Sequence, residues 1–227
     1  MREILIETAA FIFDLDGTLF DSSSQIYRAL CVTRIEQGMP SIGFDEVSKL
    51  IGLRAEELFA TVDLNPKELS EAVSLFRSNL ETEIVQENIT YPESQSLLSQ
   101  VNDLGFAVGV ATSKPARLAK LVVKNSDLNN HVTHIQGTDG FPPKPNPEVV
   151  IRCMSALGVT CGFMVGDRVE DVVAGNSAGL LSIGIAQSHV SEDELRLAGA
   201  FETFGSISEL NGSLKSLIAR ANFGSIN

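Results

Sequence analysis

FIFDLDGTLFDS, residues 11–22, runs apolar residues straight into two aspartates one residue apart, Asp14 and Asp16, with Gly17 and Thr18 directly behind them. A short apolar run of this kind reads as a buried strand that ends where the carboxylates begin. In an open α/β sheet, ligands bind in the crevice beyond the carboxyl ends of the strands. Two carboxylates there repel each other unless a cation or a proton separates them. A hard cation such as Mg²⁺ takes oxygen ligands and keeps room for phosphate oxygens. One carboxylate can then attack phosphorus while the other shuttles a proton. The same residues also suit a strand ending in a solvated turn, where Asp and Gly are common.

Outward from this stretch, apolar runs recur between helical patterns. AAFIFD, FAVGVA, THIQG, GFMVG and LLSIGIA read as short buried strands. Leu97, Val101 and Leu104 form a helical stripe that ends at Gly105. Asn146 can cap a helix with Pro147 in its first turn and Val150, Cys153 and Leu157 facing inward. Ser206 and Glu209 make a capping box ahead of Leu210, Leu214 and Leu217. Alternating β and α elements predict an α/β fold with a doubly wound, mostly parallel, Rossmann-like sheet. Residues 22–88 break the rhythm with helical patterns alone. Ile26 and Leu30 share a face, and Asn65, Pro66 and Glu68 start a helix striped by Leu69, Val73, Phe76 and Leu80. We expect a small helical cap domain at 21–89, joined near 19–22 and 87–93 to a core of residues 1–20 and 90–227.

Three more polar clusters follow expected strands. In VGVATSKP, residues 108–115, the strand ends at Thr112, and Ser113, Lys114 and Pro115 open a helix. A hydroxyl and free N–H groups there suit phosphate oxygens, or serve only as a helix cap. In PPKPNP, residues 142–147, prolines restrict the backbone around Lys144; a solvated surface charge is the plain alternative. In GFMVGDRVED, residues 162–171, a strand ends at Gly166, and Asp167 and Asp171 follow. They either point back at the crevice or favour a helix start. Each polar group falls at or beyond the carboxyl end of a predicted parallel strand.

On these residues the chain resembles the haloacid dehalogenase superfamily of phosphohydrolases. DLDGT at 14–18 matches the first motif, Thr112 the second, Lys144 the third and GDRVED at 166–171 the fourth. The insertion between the first two motifs resembles the family's helical cap of the first type. The chain is most similar to phosphoglycolate phosphatase-like members, although Ser113 stands where Asn is usual and Arg168 where a small residue is common. The resemblance implies a Mg²⁺-dependent phosphatase of a small phosphate monoester. It makes Asp14 the nucleophile that forms an aspartyl-phosphate. Asp16 becomes the group that protonates the leaving oxygen and then activates water. Mg²⁺ is then held by Asp14, the Asp16 backbone carbonyl and Asp167, with Asp171 supporting a bound water or Lys144. Thr112 and Lys144 hold phosphoryl oxygens, helped by backbone N–H groups near Leu15 and Ser113, and Thr18 is a further substrate contact. In LIGLRAEEL, residues 50–58, Arg54 follows a glycine in the kind of cap loop that touches the leaving group in such proteins. It is expected to read an anionic or hydroxylated part of the substrate; the plain alternative is an exposed arginine paired with Glu56 or Glu57.

A dehalogenase lacks the second aspartate, which Asp16 supplies here. A phosphonatase needs a cap lysine for a Schiff base, and Lys49 and Lys67 stand in no such context. A phosphomutase of the β-phosphoglucomutase type and a pyrophosphatase remain as enzymatic alternatives, and a non-catalytic binding protein as a different class. Composition narrows the partners. The chain has 227 residues, 44% hydrophobic and 20% charged, enough for a substantial core. A net charge of -12 with 17 Lys and Arg and no basic run argues against nucleic acid or anionic membrane as partners. The resemblance implies a small phosphorylated metabolite as the partner instead. MREILIETAA lacks the long apolar core of a signal peptide, and no apolar stretch is long enough for a bilayer. Cys31, Cys153 and Cys161 form no CxxC pair and read as reduced core residues of a cytoplasmic protein.

Overall fold

A computed structural model describes residues 8–87, 89–187 and 189–221; residues 1–7, on which much of the signal-peptide reading rests, lie outside them. In chain order the elements are β1 (Ala9–Phe13), α1 (Ser23–Glu36), α2 (Phe44–Ser48), α3 (Pro66–Gln86), α4 (Ser94–Asp103), β2 (Ala107–Ala111), α5 (Ala116–Lys124), β3 (His134–Gln136), α6 (Glu148–Leu157), β4 (Cys161–Gly166), α7 (Val169–Ser177), β5 (Leu181–Ile185), α8 (Glu192–Leu197), β6 (Glu202–Phe204) and α9 (Ile207–Arg220). A 3₁₀ turn lies at Glu57–Phe59.

The strands form one six-stranded sheet in the order β3-β2-β1-β4-β5-β6, and every pairing is parallel. β1 is flanked on both edges and all five of its residues are buried. Ala9, Phe11 and Phe13 join an apolar layer with α4, α5 and α9, while Ala10 and Ile12 join the opposite layer with α6 and α7. A strand covered on both faces is apolar throughout, which is why AAFIF shows no alternation. The order reverses at β1, with β2 on one side and β4 on the other. Such a switch point opens a crevice beyond the carboxyl ends. Asp14 N–H donates to Val165 O at 2.8 Å, so the β1–β4 ladder runs one residue past β1 and delivers the carboxylates beside the end of β4.

Between β1 and α4 the described residues hold helices and no sheet strand. Ile26, Ala29 and Leu30 of α1 pack with Val73, Phe76 and Leu80 of α3 in an apolar cluster continuous with one face of the sheet. Asn65 caps α3: its Oδ1 accepts from Glu68 N–H at 3.0 Å, and Glu68 Oε2 accepts from Asn65 N–H at 2.9 Å. The two chain passages into this helical insertion lie side by side. Phe20 and Thr90 form an antiparallel bridge, and Asp21 N–H donates to Ile89 O at 2.9 Å.

Several local readings change. β6 lies outside the five expected strands, because its three residues are ordered by pairing with β5. β3 is half-buried, since it is an edge strand beside β2 alone. Pro147, not Asn146, directly precedes α6, although Asn146 Oδ1 still accepts from Glu148 N–H at 2.9 Å. Ser206 caps α9 through Glu209 N–H, but the Glu209 carboxylate returns to Gly205 N–H, so the box is offset by one residue. Cys153 is buried, and burial pushes its thiol up to about 12, whereas Cys31 and Cys161 are half-buried. No helix among the described residues is long and apolar enough to cross a membrane.

Candidate active site

The crevice at the end of β1 holds Asp14, Asp16, Thr112, Lys144, Asp167 and Asp171, all buried. Asp14 follows β1, Thr112 follows β2, Lys144 lies in the loop after β3, and Asp167 and Asp171 follow β4. One carboxylate oxygen each from Asp14, Asp167 and Asp171 lies within 4.8 Å of the others. Lys144 Nζ sits between two of them, 2.5 Å from Asp14 Oδ1 and 2.5 Å from Asp171 Oδ1, and donates to Ala111 O at 3.1 Å. An ammonium has three protons to give, and these partners take all three. Asp171 Oδ2 accepts from Arg168 N–H at 3.0 Å. Asp171 is therefore bonded through both oxygens and supports Lys144.

Charge in this cluster is unbalanced. Burial pushes the Asp14 carboxyl up to about 7; Lys144 pulls it down, while Asp171 and Asp167 push it up. Burial disfavours the Lys144 ammonium, but Asp14 and Asp171 outweigh that and hold it above the ordinary lysine range. Three buried carboxylates thus crowd together, and Lys144 pairs with two of them, Asp14 and Asp171. A divalent cation would offset the surplus, and an all-oxygen donor set suits a hard ion such as Mg²⁺.

Asp16 is held apart from that cluster by other groups. Lys114 Nζ lies 2.7 Å from Asp16 Oδ1, which also accepts from the Ser22 hydroxyl. Lys114 and Ser22 were not singled out from sequence. The signal for Lys114 was present, because Pro115 stiffens its loop as the prolines do beside Lys144. Thr112 Oγ1 accepts from Lys114 N–H at 3.2 Å, and among the described residues no acceptor takes its hydroxyl hydrogen. The cap reading and the oxyanion-donor reading of Thr112 are therefore compatible. Thr18 is the further substrate contact that the resemblance implies. It is fully buried, and its hydroxyl donates to Asp167 Oδ1 at 2.8 Å, so it orients a carboxylate of the acidic cluster. Leu15 is also fully buried, which leaves only its backbone for any contact with substrate. Gly17 has φ +89°, and a Cβ there would come within 2.5 Å of Asp167 Oδ2, so only glycine fits this turn.

Two chambers open from the crevice beneath the helical insertion. One of about 400 Å³ contains Asp14, Lys144 and Asp171; the other, of about 240 Å³, contains Asp16, Thr112 and Lys114. Ser113, Gly52, Leu53 and Arg54 line both. Arg54 therefore reaches the crevice rim, yet it is exposed and paired to Glu57, with Nη2 3.4 Å from Oε1. The pairing with Glu57 is the plain alternative offered for Arg54. Phe76, Leu58 and Leu118 give the smaller chamber apolar walls, and Arg77 of α3 lines it as well.

An all-parallel α/β core with a buried acidic crevice at its switch point, bordered by an inserted helical layer, defines a Rossmann-like protein with a helical insertion after its first strand. A family model for haloacid dehalogenase-like hydrolases matches residues 11–185, and the chain belongs to that family. It is 35% identical to a phosphoglycolate phosphatase of Aquifex aeolicus, over 74% of this chain and 80% of that protein. It is 28% identical to the probable phosphatase IndB of Dickeya dadantii, over 91% of this chain and 94% of that one. A crystal structure titled as a predicted phosphatase from Clostridium acetobutylicum superposes with a TM-score of 0.82 at 27% identity, covering 92% of this chain and 99% of that chain.

Proposed function

We propose that this protein is a cytoplasmic, Mg²⁺-dependent phosphatase that hydrolyses a small phosphate monoester of the phosphoglycolate or sugar-phosphate kind through an aspartyl-phosphate on Asp14. The observation that carries the reading is the pair of separately held carboxylates at the end of β1. Asp14 is clamped by Lys144 in the acidic cluster, and Asp16 is held by Lys114 and Ser22 facing the other chamber. Phosphatase names among the relatives support it.

In this mechanism an Asp14 carboxylate oxygen attacks phosphorus and the bond to the leaving oxygen breaks. Asp16 gives that oxygen its proton. Asp16, now ionised, takes a proton from water as the water attacks phosphorus, and phosphate leaves with Asp14 regenerated. Lys144 lowers the repulsion between an anionic nucleophile and an anionic substrate. Thr112 donates its free hydroxyl hydrogen to a phosphoryl oxygen. Asp14, Asp167 and the Asp16 carbonyl would hold Mg²⁺, which when bound supplies positive charge to the phosphoryl oxygens. The smaller chamber receives the leaving group. Its volume of about 240 Å³ leaves space beyond a two-carbon acid, so the substrate screen should span phosphoglycolate, sugar phosphates, nucleotides and pyrophosphate.

Asp16→Ala tests the reading. Turnover should fall by roughly 10²- to 10⁴-fold. The defect in the phosphorylation step should shrink for p-nitrophenyl phosphate, whose leaving group needs little acid help. Equal first-step defects on good and poor leaving groups would contradict the role. In wild-type enzyme, inorganic phosphate should appear in step with loss of the ester; return of the phosphoryl group to a sugar hydroxyl would instead mark a mutase.

Arg54→Ala examines the cap loop. On the best ester of the screen kcat/KM should drop by about tenfold or more, the value of a hydrogen bond to a charged group. On p-nitrophenyl phosphate, which has no anionic or hydroxylated tail, it should change little. A similar fall on both would make Arg54 an ordinary surface residue.

A further inference from the structure

We propose that Arg168 is the positioning residue that holds the cap loop at residues 51–54 over the crevice, tying it to the loop that carries Asp167 and Asp171. The proposal rests on the reading above in one respect, that this cap loop borders the leaving group.

Arg168 lies between the two aspartates in sequence, and its two ends do different things. Its backbone N–H belongs to the core, donating to Asp171 Oδ2 at 3.0 Å. Its side chain leaves the core and crosses to the cap, where Nη1 donates to Ile51 O at 2.8 Å. Nε lies 3.3 Å from Glu170 Oε2, which keeps the guanidinium turned in this direction. The side chain is 19% exposed, so water competes only partly for these bonds.

The receiving loop is shaped for this contact. Gly52 has φ +83°, a conformation that glycine adopts without strain. A Cβ at Gly52 would fall 2.7 Å from Arg168 Cδ, so the absent side chain is what lets the loop rest on the arginine stem. Leu53 and Arg54 follow at once and line both chambers. A guanidinium suits this role because its planar fork presents several donors in fixed directions, enough for Ile51 O and Glu170 together. Lids that complete a site are held closed by a few such contacts, and losing one opens the lid without altering the chemistry below.

The test uses Arg168→Ala and Arg168→Lys in the full chain, with two readouts. The first is amide hydrogen exchange without added metal. Exchange at residues 50–58 should quicken by roughly tenfold or more in Arg168→Ala, as expected for a lost charge-assisted bond. Amides of α7 should keep their wild-type rates, because the backbone bond to Asp171 remains. Arg168→Lys, which can still reach one carbonyl, should fall between. The second readout is kinetic, at saturating Mg²⁺. For p-nitrophenyl phosphate, whose ring is large enough to need the wall that Leu53 gives both chambers, kcat/KM should fall about 10- to 100-fold, mostly through KM. For acetyl phosphate, with a leaving group too small to need the loop, it should fall less than about threefold.

Unchanged exchange at 50–58 in both variants would overturn the proposal. So would an equal loss on both substrates together with a raised Mg²⁺ requirement and faster exchange in α7, since Arg168 would then serve the core loop alone. If the wild-type protein hydrolyses neither p-nitrophenyl phosphate nor acetyl phosphate, the phosphatase reading fails, and the exchange measurement still decides the role of Arg168.

Discussion

Asp14→Asn should abolish turnover and at the same time raise the melting temperature of the metal-free protein. An amide is a poor nucleophile toward phosphorus, so several orders of magnitude in kcat should be lost. A variant retaining a tenth of wild-type kcat would end the covalent assignment. The stability gain has a separate cause. Asp14, Asp167 and Asp171 crowd together, and burial already pushes Asp14 up to about 7. Removing one negative charge leaves the Lys144–Asp171 pair, 2.5 Å apart, in place. The expected shift is several °C at pH 8, measured by thermal unfolding in EDTA. A fall in melting temperature would mean that the Asp14–Lys144 pair stabilises the fold more than carboxylate crowding destabilises it.

Metal removal should have the second large effect. Dialysis against EDTA should eliminate activity, Mg²⁺ should restore it, Mn²⁺ or Co²⁺ should substitute, and Ca²⁺, with its larger and looser coordination sphere, should inhibit. Asp167→Ala should raise the Mg²⁺ requirement sharply or remove activity altogether. The same site predicts a pH dependence. In the unfolded chain Asp14 loses its proton near 3.8; in the folded, metal-free protein it does so at about 7. Between those values the folded state binds the extra proton, so the Asp14 contribution lowers stability as pH rises from about 4 to about 7. Mg²⁺ competes with that proton. Its stabilising effect on unfolding should therefore be larger at pH 8 than at pH 5, and Asp14→Asn should weaken that difference. Equal Mg²⁺ stabilisation at both pH values, or full activity after exhaustive chelation, would contradict the site.

The strand ends were legible because the signal is local. A strand buried on both faces must be apolar wherever it sits in the sheet, so AAFIF, AVGVA and CGFMVG announce themselves without knowledge of their neighbours. Polar residues directly after such runs must emerge at the carboxyl edge, which placed Asp14, Thr112 and Asp167 in one crevice before any pairing was known. Proline does the same for Lys144 by limiting its backbone. The capping box at Asn65 was readable for a similar reason, since both partners lie within one turn. β6 was not, because Glu202–Phe204 has no apolar run of its own and is held by β5.

Sequence by itself therefore determined the class of fold, the helical insertion and most of the residues that meet at the crevice, Lys114 and Ser22 excepted. Tertiary structure alone decided who bonds to whom there. Thr18 meets Asp167 across 149 positions, Lys144 meets Asp14 across 130, Arg168 meets Ile51 across 117 and Lys114 meets Asp16 across 98. Such pairs depend on strand order, and no residue period encodes it. Placing β4 beside β1 brings Asp167 to Thr18 and sets Arg168 under the cap loop. That neighbourhood gave the Thr18 hydroxyl a carboxylate partner in Asp167. It also gave Arg168, adjacent in sequence to Asp167, a partner on the opposite wall of the crevice.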